Sequence, residues 1–296
     1  GDPNGIGIEI ILKSLSNFSL FHECNFVIYA STGLIEKQKQ HFQIDTPPLK
    51  KIDSEEDLSD TQINIKEVFS NSQFNFGESD KELSALGILS LKEATKAIKD
   101  KKIDVLVTAP INKDLSFSES FKYTGHTDFL KNYFRISPLM LMISKELKIA
   151  LLTDHIPIKD VSNAINQDIV EQKIKALETS LINDFQIKKP KIAVLAVNPH
   201  AGDNGVIGNE DQSIITPAIN SFKGTTSSIN GPFSADTFFV NENYKKYDGI
   251  IASYHDQGLI PFKTISFGKG VNFTAGLPFV RTSPDHGTGF DIAGKG

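Results

Sequence analysis

Residues 192–202 read Ile-Ala-Val-Leu-Ala-Val-Asn-Pro-His-Ala-Gly, an apolar run that ends abruptly in a polar turn. An uninterrupted apolar run of this kind is typical of a strand covered on both faces, as in a parallel sheet. The turn places His200 directly beyond the strand. In open α/β sheets, ligands bind at the carboxyl ends of the strands. The stretch therefore predicts a parallel sheet and a histidine at its functional edge.

The same pattern recurs along the chain. Short β-branched runs alternate with segments of helical periodicity, which predicts a mostly parallel sheet with crossover helices. The helical segments are Leu83–Ile98 and Val170–Leu181. The polar segment Lys39–Asn75 is expected to form a surface excursion with weak strands. The other predicted strands are Asn25–Ala30, Val105–Val107, Ile149–Leu152 and Gly249–Ala252.

The bulk composition argues against several classes of protein. A chain of 296 residues with 39% hydrophobic residues can form one large α/β unit or two domains that share a cleft. A net charge of −5 with scattered lysines gives no reason to expect nucleic acid. No apolar run approaches the roughly 20 residues that span a bilayer. The single cysteine, Cys24, fits a reducing compartment, so we expect a cytoplasmic protein. Both ends are interpreted as truncated.

Histidines cluster at strand ends and in turns flanked by Gly or Pro. Three of them, His155, His200 and His255, closely follow strands that look buried. One such histidine is more often a structural hydrogen-bonding group, but three at equivalent strand ends favour a metal site. Neutral imidazole is a common ligand of zinc and related ions, and three protein ligands leave a coordination position for substrate.

A second group of residues favours an anionic substrate. Lys263, Asn272 and Arg281 lie on one stretch of tight turns and short apolar runs. The planar fork of Arg suits phosphate or carboxylate, and Lys supplies a point charge; a solvated surface is the alternative. The glycine-rich turn Gly1–Glu9 could bring backbone N–H groups to an anion, although it lacks the dinucleotide-binding fingerprint.

Successive motifs resemble those of the 4-hydroxythreonine-4-phosphate dehydrogenase family. They occur in family order over nearly the whole chain. The last stretch, His286–Gly296, also resembles the cofactor loop of isopropylmalate dehydrogenase. The motifs are Gly1–Glu9, Val107–Lys113, Gly125–Leu130, Asn198–Gly202, Tyr254–Gly258 and the run from Arg281 to Thr288.

The resemblance implies an α/β fold with two interleaved α/β domains around a cleft, like isocitrate and isopropylmalate dehydrogenases. Residues 1–122 and 284–296 are expected to form the first domain, on the cofactor side. Residues 123–283 are expected to form the second, which would carry the metal, substrate and dimer contacts. The family's active site lies at a homodimer interface, with the metal held by ligands from both subunits.

The resemblance also implies roles for individual residues. One divalent ion (zinc, magnesium, manganese or cobalt) would be bound by His155, His200 and His255. The cofactor would be NAD, with NADP as the alternative, in contact with His286, Gly287 and Asp291. The substrate would contact His126, Thr127, Lys263, Asn272 and Arg281. Asp236 matches an acidic position near the metal, and the catalytic base is left open among Lys263, Asp236 and His126.

The implied reaction is the NAD-dependent oxidation of 4-phosphohydroxy-L-threonine in pyridoxal 5'-phosphate (vitamin B6) biosynthesis. The product, 2-amino-3-oxo-4-phosphohydroxybutanoate, would decarboxylate to 3-amino-2-oxopropyl phosphate. A dehydrogenase of threonate or erythronate 4-phosphate is the nearest alternative. A phosphotransacetylase-like acyltransferase and a catalytically inactive nucleotide-binding regulator are the alternatives from other classes.

Overall fold

The computed structural model describes residues 1–116 and 121–296. The chain divides into two compact units, one of Gly1–Arg135 with Arg281–Gly296 and one of Ile136–Val280. Each unit contains strands and helices, as predicted. The expected boundaries differ, because residues 123–135 and 281–283 lie with the first unit. Phe129 lies on the helix His126–Phe134, and its ring centroid is 5.5 Å from that of Phe121. This packing holds the helix in the first unit.

Strands and helices alternate along most of the described chain. The strands are β1 (Val27–Ala30), β2 (Leu49–Ile52), β3 (Ile63–Glu67), β4 (Val105–Val107), β5 (Leu139–Ile143), β6 (Lys148–Leu151), β7 (Lys191–Leu195), β8 (Ser228–Phe233), β9 (Gly249–Ala252), β10 (Val271–Ala275) and β11 (Val280–Pro284). The helices are α1 (Gly7–Leu15), α2 (Thr32–Phe42), α3 (Lys81–Lys99), α4 (Lys113–Ser116), α5 (His126–Phe134), α6 (Val161–Ala164), α7 (Gln167–Asn183), α8 (Thr216–Asn220), α9 (Ala235–Phe238) and α10 (His255–Ser266). In the described part of the chain, no helix is both long and apolar enough to cross a membrane.

The first unit contains a parallel sheet in the order β1-β3-β2. The strands expected inside Lys39–Asn75 are present as β2 and β3, but the expected position at the surface was wrong for β3, which is the buried central strand. Ile63 and Ile65 are fully buried. Between them, Asn64 is also buried, because its amide donates hydrogen bonds to Phe26 O and Ser59 O. A hydropathy pattern does not identify a short strand whose central residue is polar, even when that residue is buried.

The second unit is built on strands in the order β10-β5-β6-β9-β7-β8. The β10/β5 and β5/β6 pairs are antiparallel, whereas β6, β9, β7 and β8 run parallel. The predicted two-sided burial is confirmed for β9, in which every residue is buried. It is wrong for β4 in the first unit, where Val105 and Val107 are exposed. The parallel strands bring the segments after β6, β9 and β7 to one edge.

The close packing of α10 against this sheet depends on Gly258. A Cβ atom added there would lie 2.7 Å from Leu151 Cδ2 and 3.0 Å from Ala252 Cβ. The first turn of α10, which begins at His255, therefore lies directly on β6 and β9.

Candidate active site

Side-chain hydrogen bonds tie the carboxyl ends of β6, β9 and β7 together. The Thr153 hydroxyl, after β6, donates to Ser253 O, after β9, at 2.8 Å. The Gln257 amide accepts from Ser253 N at 2.6 Å and donates to Ala196 O, after β7, at 2.8 Å. The segments that carry His155, His255 and His200 therefore all begin at one edge of the sheet, and these hydrogen bonds hold their starting points together.

Two of the predicted metal ligands lie side by side at this edge. The ring centroids of His155 and His255 are 5.6 Å apart, with the planes at 51°. Two imidazoles on one ion, each at about 2.1 Å through nitrogen, hold their ring centres on the order of 5–6 Å apart. His255 Nδ1 lies 2.6 Å from Asp256 Oδ1, an arrangement that fixes the ring and leaves Nε2 free for a metal.

The third histidine, His200, lies near Asp236 instead. A hydrogen bond from the Ser234 hydroxyl holds the pKa of Asp236 below its ordinary value, and the proximity of His200 acts in the same direction. Over residues 1–116 and 121–296, no group of three or more His, Cys, Asp or Glu side chains is placed to hold a metal ion. The structure thus places His155 beside His255 and His200 in the neighbourhood of Asp236, and the three predicted ligands do not come together within one chain.

A cationic cluster surrounds the beginning of α5 in the first unit. Arg281 is 2% exposed, and its guanidinium donates to Thr108 Oγ1 at 2.6 Å. Burial lowers the pKa of Arg281 to about 10, so this group is charged at neutral pH. The charge of Lys113 also acts on His126, and a Cβ atom added to Gly125 would lie 3.6 Å from Lys113 Cε.

This arrangement suits an anion, because two cations lie near the N-terminus of a helix. The predicted substrate residues His126, Thr127 and Arg281 all belong to it. Lys113 was not among the predicted site residues, although it ends the Val107–Lys113 motif and follows β4 closely. Its position at the start of α4, in the segment that follows β4, is the signal that could have identified it.

His126 is expected to make the stability of the protein depend on pH. Burial, and then the charge of Arg281, hold the pKa of His126 well below 6.5. The unfolded chain takes up a proton at this residue below about pH 6.5, whereas the folded protein does not. Stability is therefore full above that pH and falls as the pH decreases, by up to about 1.4 kcal/mol per pH unit.

His126→Asn should remove part of this acid sensitivity, as measured by denaturant unfolding at neutral and acid pH. The matched control is His22→Asn, at an exposed histidine in the same unit. Equal acid sensitivity in wild-type protein and His126→Asn would contradict the prediction.

The other predicted substrate residues lie in the second unit. Lys263 is an exposed residue in the last turn of α10. Asn272 lies in β10, and its side-chain Oδ1 is buried without a hydrogen-bond partner among the described residues. Because buried polar atoms without partners are rare, this oxygen is a candidate contact for a bound molecule.

The predicted cofactor residues lie on an exposed loop. His286 Nδ1 lies 3.0 Å from Gly287 O, and both residues are exposed. Asp291 is also exposed, and its backbone oxygen accepts a hydrogen bond from Lys295 Nζ at 2.6 Å. All three residues therefore remain accessible to a ligand.

The glycine-rich turn Gly1–Glu9 supports this loop. Ile6 N donates to Thr288 O at 2.9 Å, and a Cβ atom added to Gly5 would lie 2.7 Å from the same oxygen. Asn4 N donates to Asp2 Oδ1 at 2.9 Å. These N–H groups have partners within the chain, so the N–H groups of Asn4 and Ile6 are not available to bind an anion.

Comparisons with known proteins agree over nearly the whole chain. Residues 22–296 match the family described as "Pyridoxal phosphate biosynthetic protein PdxA". The chain is 43% identical over 296 residues to a 4-hydroxythreonine-4-phosphate dehydrogenase from a Sulfurihydrogenibium species, covering 100% of this chain and 90% of the relative.

Solved structures of similar proteins have the same fold. A crystal structure of 4-hydroxythreonine-4-phosphate dehydrogenase from Klebsiella pneumoniae superposes with a TM-score of 0.86 at 33% identity, covering 100% of this chain and 91% of that one. A terephthalate 1,2-cis-dihydrodiol dehydrogenase from Burkholderia xenovorans has a TM-score of 0.68 at 25% identity, covering 100% and 90%. The predicted α/β fold of the dehydrogenase type is confirmed.

Proposed function

Because this chain belongs to the PdxA family, as its motifs indicated, we propose that it oxidises 4-phosphohydroxy-L-threonine with NAD in pyridoxal 5'-phosphate (vitamin B6) biosynthesis. The observation that carries the proposal beyond similarity is the His155–His255 pair at the carboxyl edge of parallel strands. Ligand sites of α/β sheets lie at that edge. NADP is the alternative cofactor.

In the proposed reaction, the hydride on C3 of the substrate passes to the nicotinamide and the hydroxyl proton passes to a base of the protein. The product is 2-amino-3-oxo-4-phosphohydroxybutanoate, a β-keto acid that loses CO2 to give 3-amino-2-oxopropyl phosphate. Holding both reactants in fixed positions supplies much of the rate. Contact with the cofactor is assigned to His286, Gly287 and Asp291, which lie on the exposed loop.

We assign one divalent ion, zinc, magnesium, manganese or cobalt, to His155, His200 and His255. A bound ion would lower the pKa of the substrate hydroxyl, so that the proton leaves near neutral pH. The spacing of His155 and His255 suits shared ligation, and Asp256 orients the second ring. Histidine-rich sites discriminate poorly between metals by affinity alone, so the donor set is compatible with several ions.

The remaining side chains bind and orient the substrate in this proposal. Arg281 supplies a charged fork for an acidic group, and Lys263 and Asn272 supply further polar contacts. His126 is held neutral, so it can donate one hydrogen bond and accept another. The catalytic base is left open among His126, Lys263 and Asp236, because a base must first lie within hydrogen-bond reach of the substrate.

A homodimer with the active site at its interface is part of the proposal. Each histidine-bearing segment also exposes a large apolar side chain: Ile158 at 71%, Val206 at 82% and Ile260 at 65%. In a homodimer, the commonest oligomer of soluble proteins, the second copy would remove these side chains from water, which stabilises the assembly. A cytoplasmic location completes the proposal, supported by the phosphorylated substrate and the single cysteine.

The test is reduction of NAD by the full-length protein, followed by absorbance, with 4-phosphohydroxy-threonine and with threonate 4-phosphate in separate assays. We expect NADH formation with the first substrate and little with the second. Activity on threonate 4-phosphate alone would assign the chain to that reaction instead. No reduction with either substrate, in dimeric and metal-loaded protein, would contradict the proposed function.

A further inference from the structure

His200 lies in a turn with an unusual backbone. The five residues from His200 to Asn204 have φ angles between 43° and 79°, and only Gly202 among them is a glycine. This left-handed conformation is unfavourable for L-residues and persists only where the surroundings determine it. Other groups must therefore hold the turn in place.

A buried carboxylate holds the entry to this turn. Asp211 is fully buried, and its Oδ1 accepts a hydrogen bond from Val197 N at 2.7 Å. Its Oδ2 accepts from Asn198 N at 3.0 Å and from Asn198 Nδ2 at 3.1 Å. These three hydrogen bonds fix the two residues that lead from β7 into the turn.

Further contacts connect Asn198 and Asp211 to the rest of the second unit. Asn198 Nδ2 also donates to Glu210 Oε2 at 2.8 Å, and Glu210 Oε1 accepts from the Ser162 hydroxyl at 2.8 Å. Asp211 begins a π-helical turn that ends at the fully buried Ile215. Such turns are rare and are frequently found at functional sites. The core therefore anchors Asp211, and Asp211 anchors the turn.

We propose that Asp211 is a positioning residue that holds His200 where it can bind the metal. The inference rests on the proposed function, in which His200 is a ligand. Asp211 acts through the backbone of Val197 and Asn198 and through the side-chain amide of Asn198. The outer contacts of a metal site commonly matter for affinity, and their loss typically weakens binding by about 10–100-fold.

The experiment is a titration of Co²⁺ into the full chain after removal of bound metal, with a chelator as competitor. Asp211→Asn replaces one acceptor oxygen by an NH2 group that faces a backbone donor. We expect the Kd for Co²⁺ to rise about 10-fold or more. The control is Glu178→Gln, a buried acid-to-amide change on α7 in the same unit, where Glu178 is 4% exposed and pairs with Lys175 at 2.7 Å. It should lower thermal stability and leave the Kd unchanged.

An unchanged Kd in Asp211→Asn, alongside a loss of thermal stability like that of the control, would overturn the positioning role. If Asp211→Asn does not fold, Asn198→Ala decides by the same criterion, because it removes the amide that links Asp211 and Glu210. Wild-type protein that binds no Co²⁺ would overturn the metal site itself, and the titration shows that outcome before any variant is examined.

Discussion

His255→Ala should lower kcat/KM for 4-phosphohydroxy-threonine by about 1000-fold or more and reduce the metal content of the purified protein. A metal that polarises the reacting oxygen supplies several kcal/mol of stabilisation, and each 1.4 kcal/mol is tenfold in rate. The side chain is 40% exposed, so the thermal midpoint of the metal-free protein should change little. The measurements are NADH formation and metal analysis by atomic spectroscopy.

The control for this change is His22→Ala, at an exposed histidine in the first unit, which should retain both metal and activity. A His255→Ala protein with full metal content and a rate near that of the wild type would exclude His255 as a ligand.

Arg281→Met should lower kcat/KM by about 100-fold, mainly through a higher KM for the phosphorylated substrate. A hydrogen bond to a charged group contributes about 1.5–3 kcal/mol, and the substitution removes both the charge and the planar fork. Met has a similar length and is apolar, so it suits a position that is 2% exposed. Steady-state kinetics with varied substrate separates the effect on KM from that on kcat.

Thr108→Val is the matched control, because it removes a hydrogen-bond acceptor of Arg281 and leaves the guanidinium in place. Its effect on KM should be less than about tenfold, since a neutral partner contributes about 1 kcal/mol. An Arg281→Met protein with an unchanged KM would show that Arg281 stabilises the fold and does not bind substrate.

The strands that lead to the histidines could be predicted from sequence alone. β7 and β9 are continuous apolar runs that end in a polar turn, so both the sheet and the position of His200 and His255 at its edge follow from hydropathy. β3 could not be predicted in this way. Its central Asn64 is polar, and only the hydrogen bonds to Phe26 O and Ser59 O explain its burial.

The assembly of the site was harder to predict. Periodicity identifies a helix but not the unit against which it packs, which is why the expected boundary at residue 123 differs from the one at residue 136 in the structure. The role of Asp211 depends on three long-range contacts, and its flanking sequence has no distinguishing pattern. The pairing of His155 with His255 depends on the register of β6 with β9, which hydropathy does not determine.

The most direct test of a shared metal site uses purified heterodimers. Co-expressing two of the three variants His155→Ala, His200→Ala and His255→Ala, with different tags, yields dimers in which each subunit lacks one histidine. If two subunits share each site, then two of the three pairings regain one intact site and about half of the wild-type activity. Activity in none of the three heterodimers, although each variant dimerises, would contradict a metal centre shared between two copies of this chain.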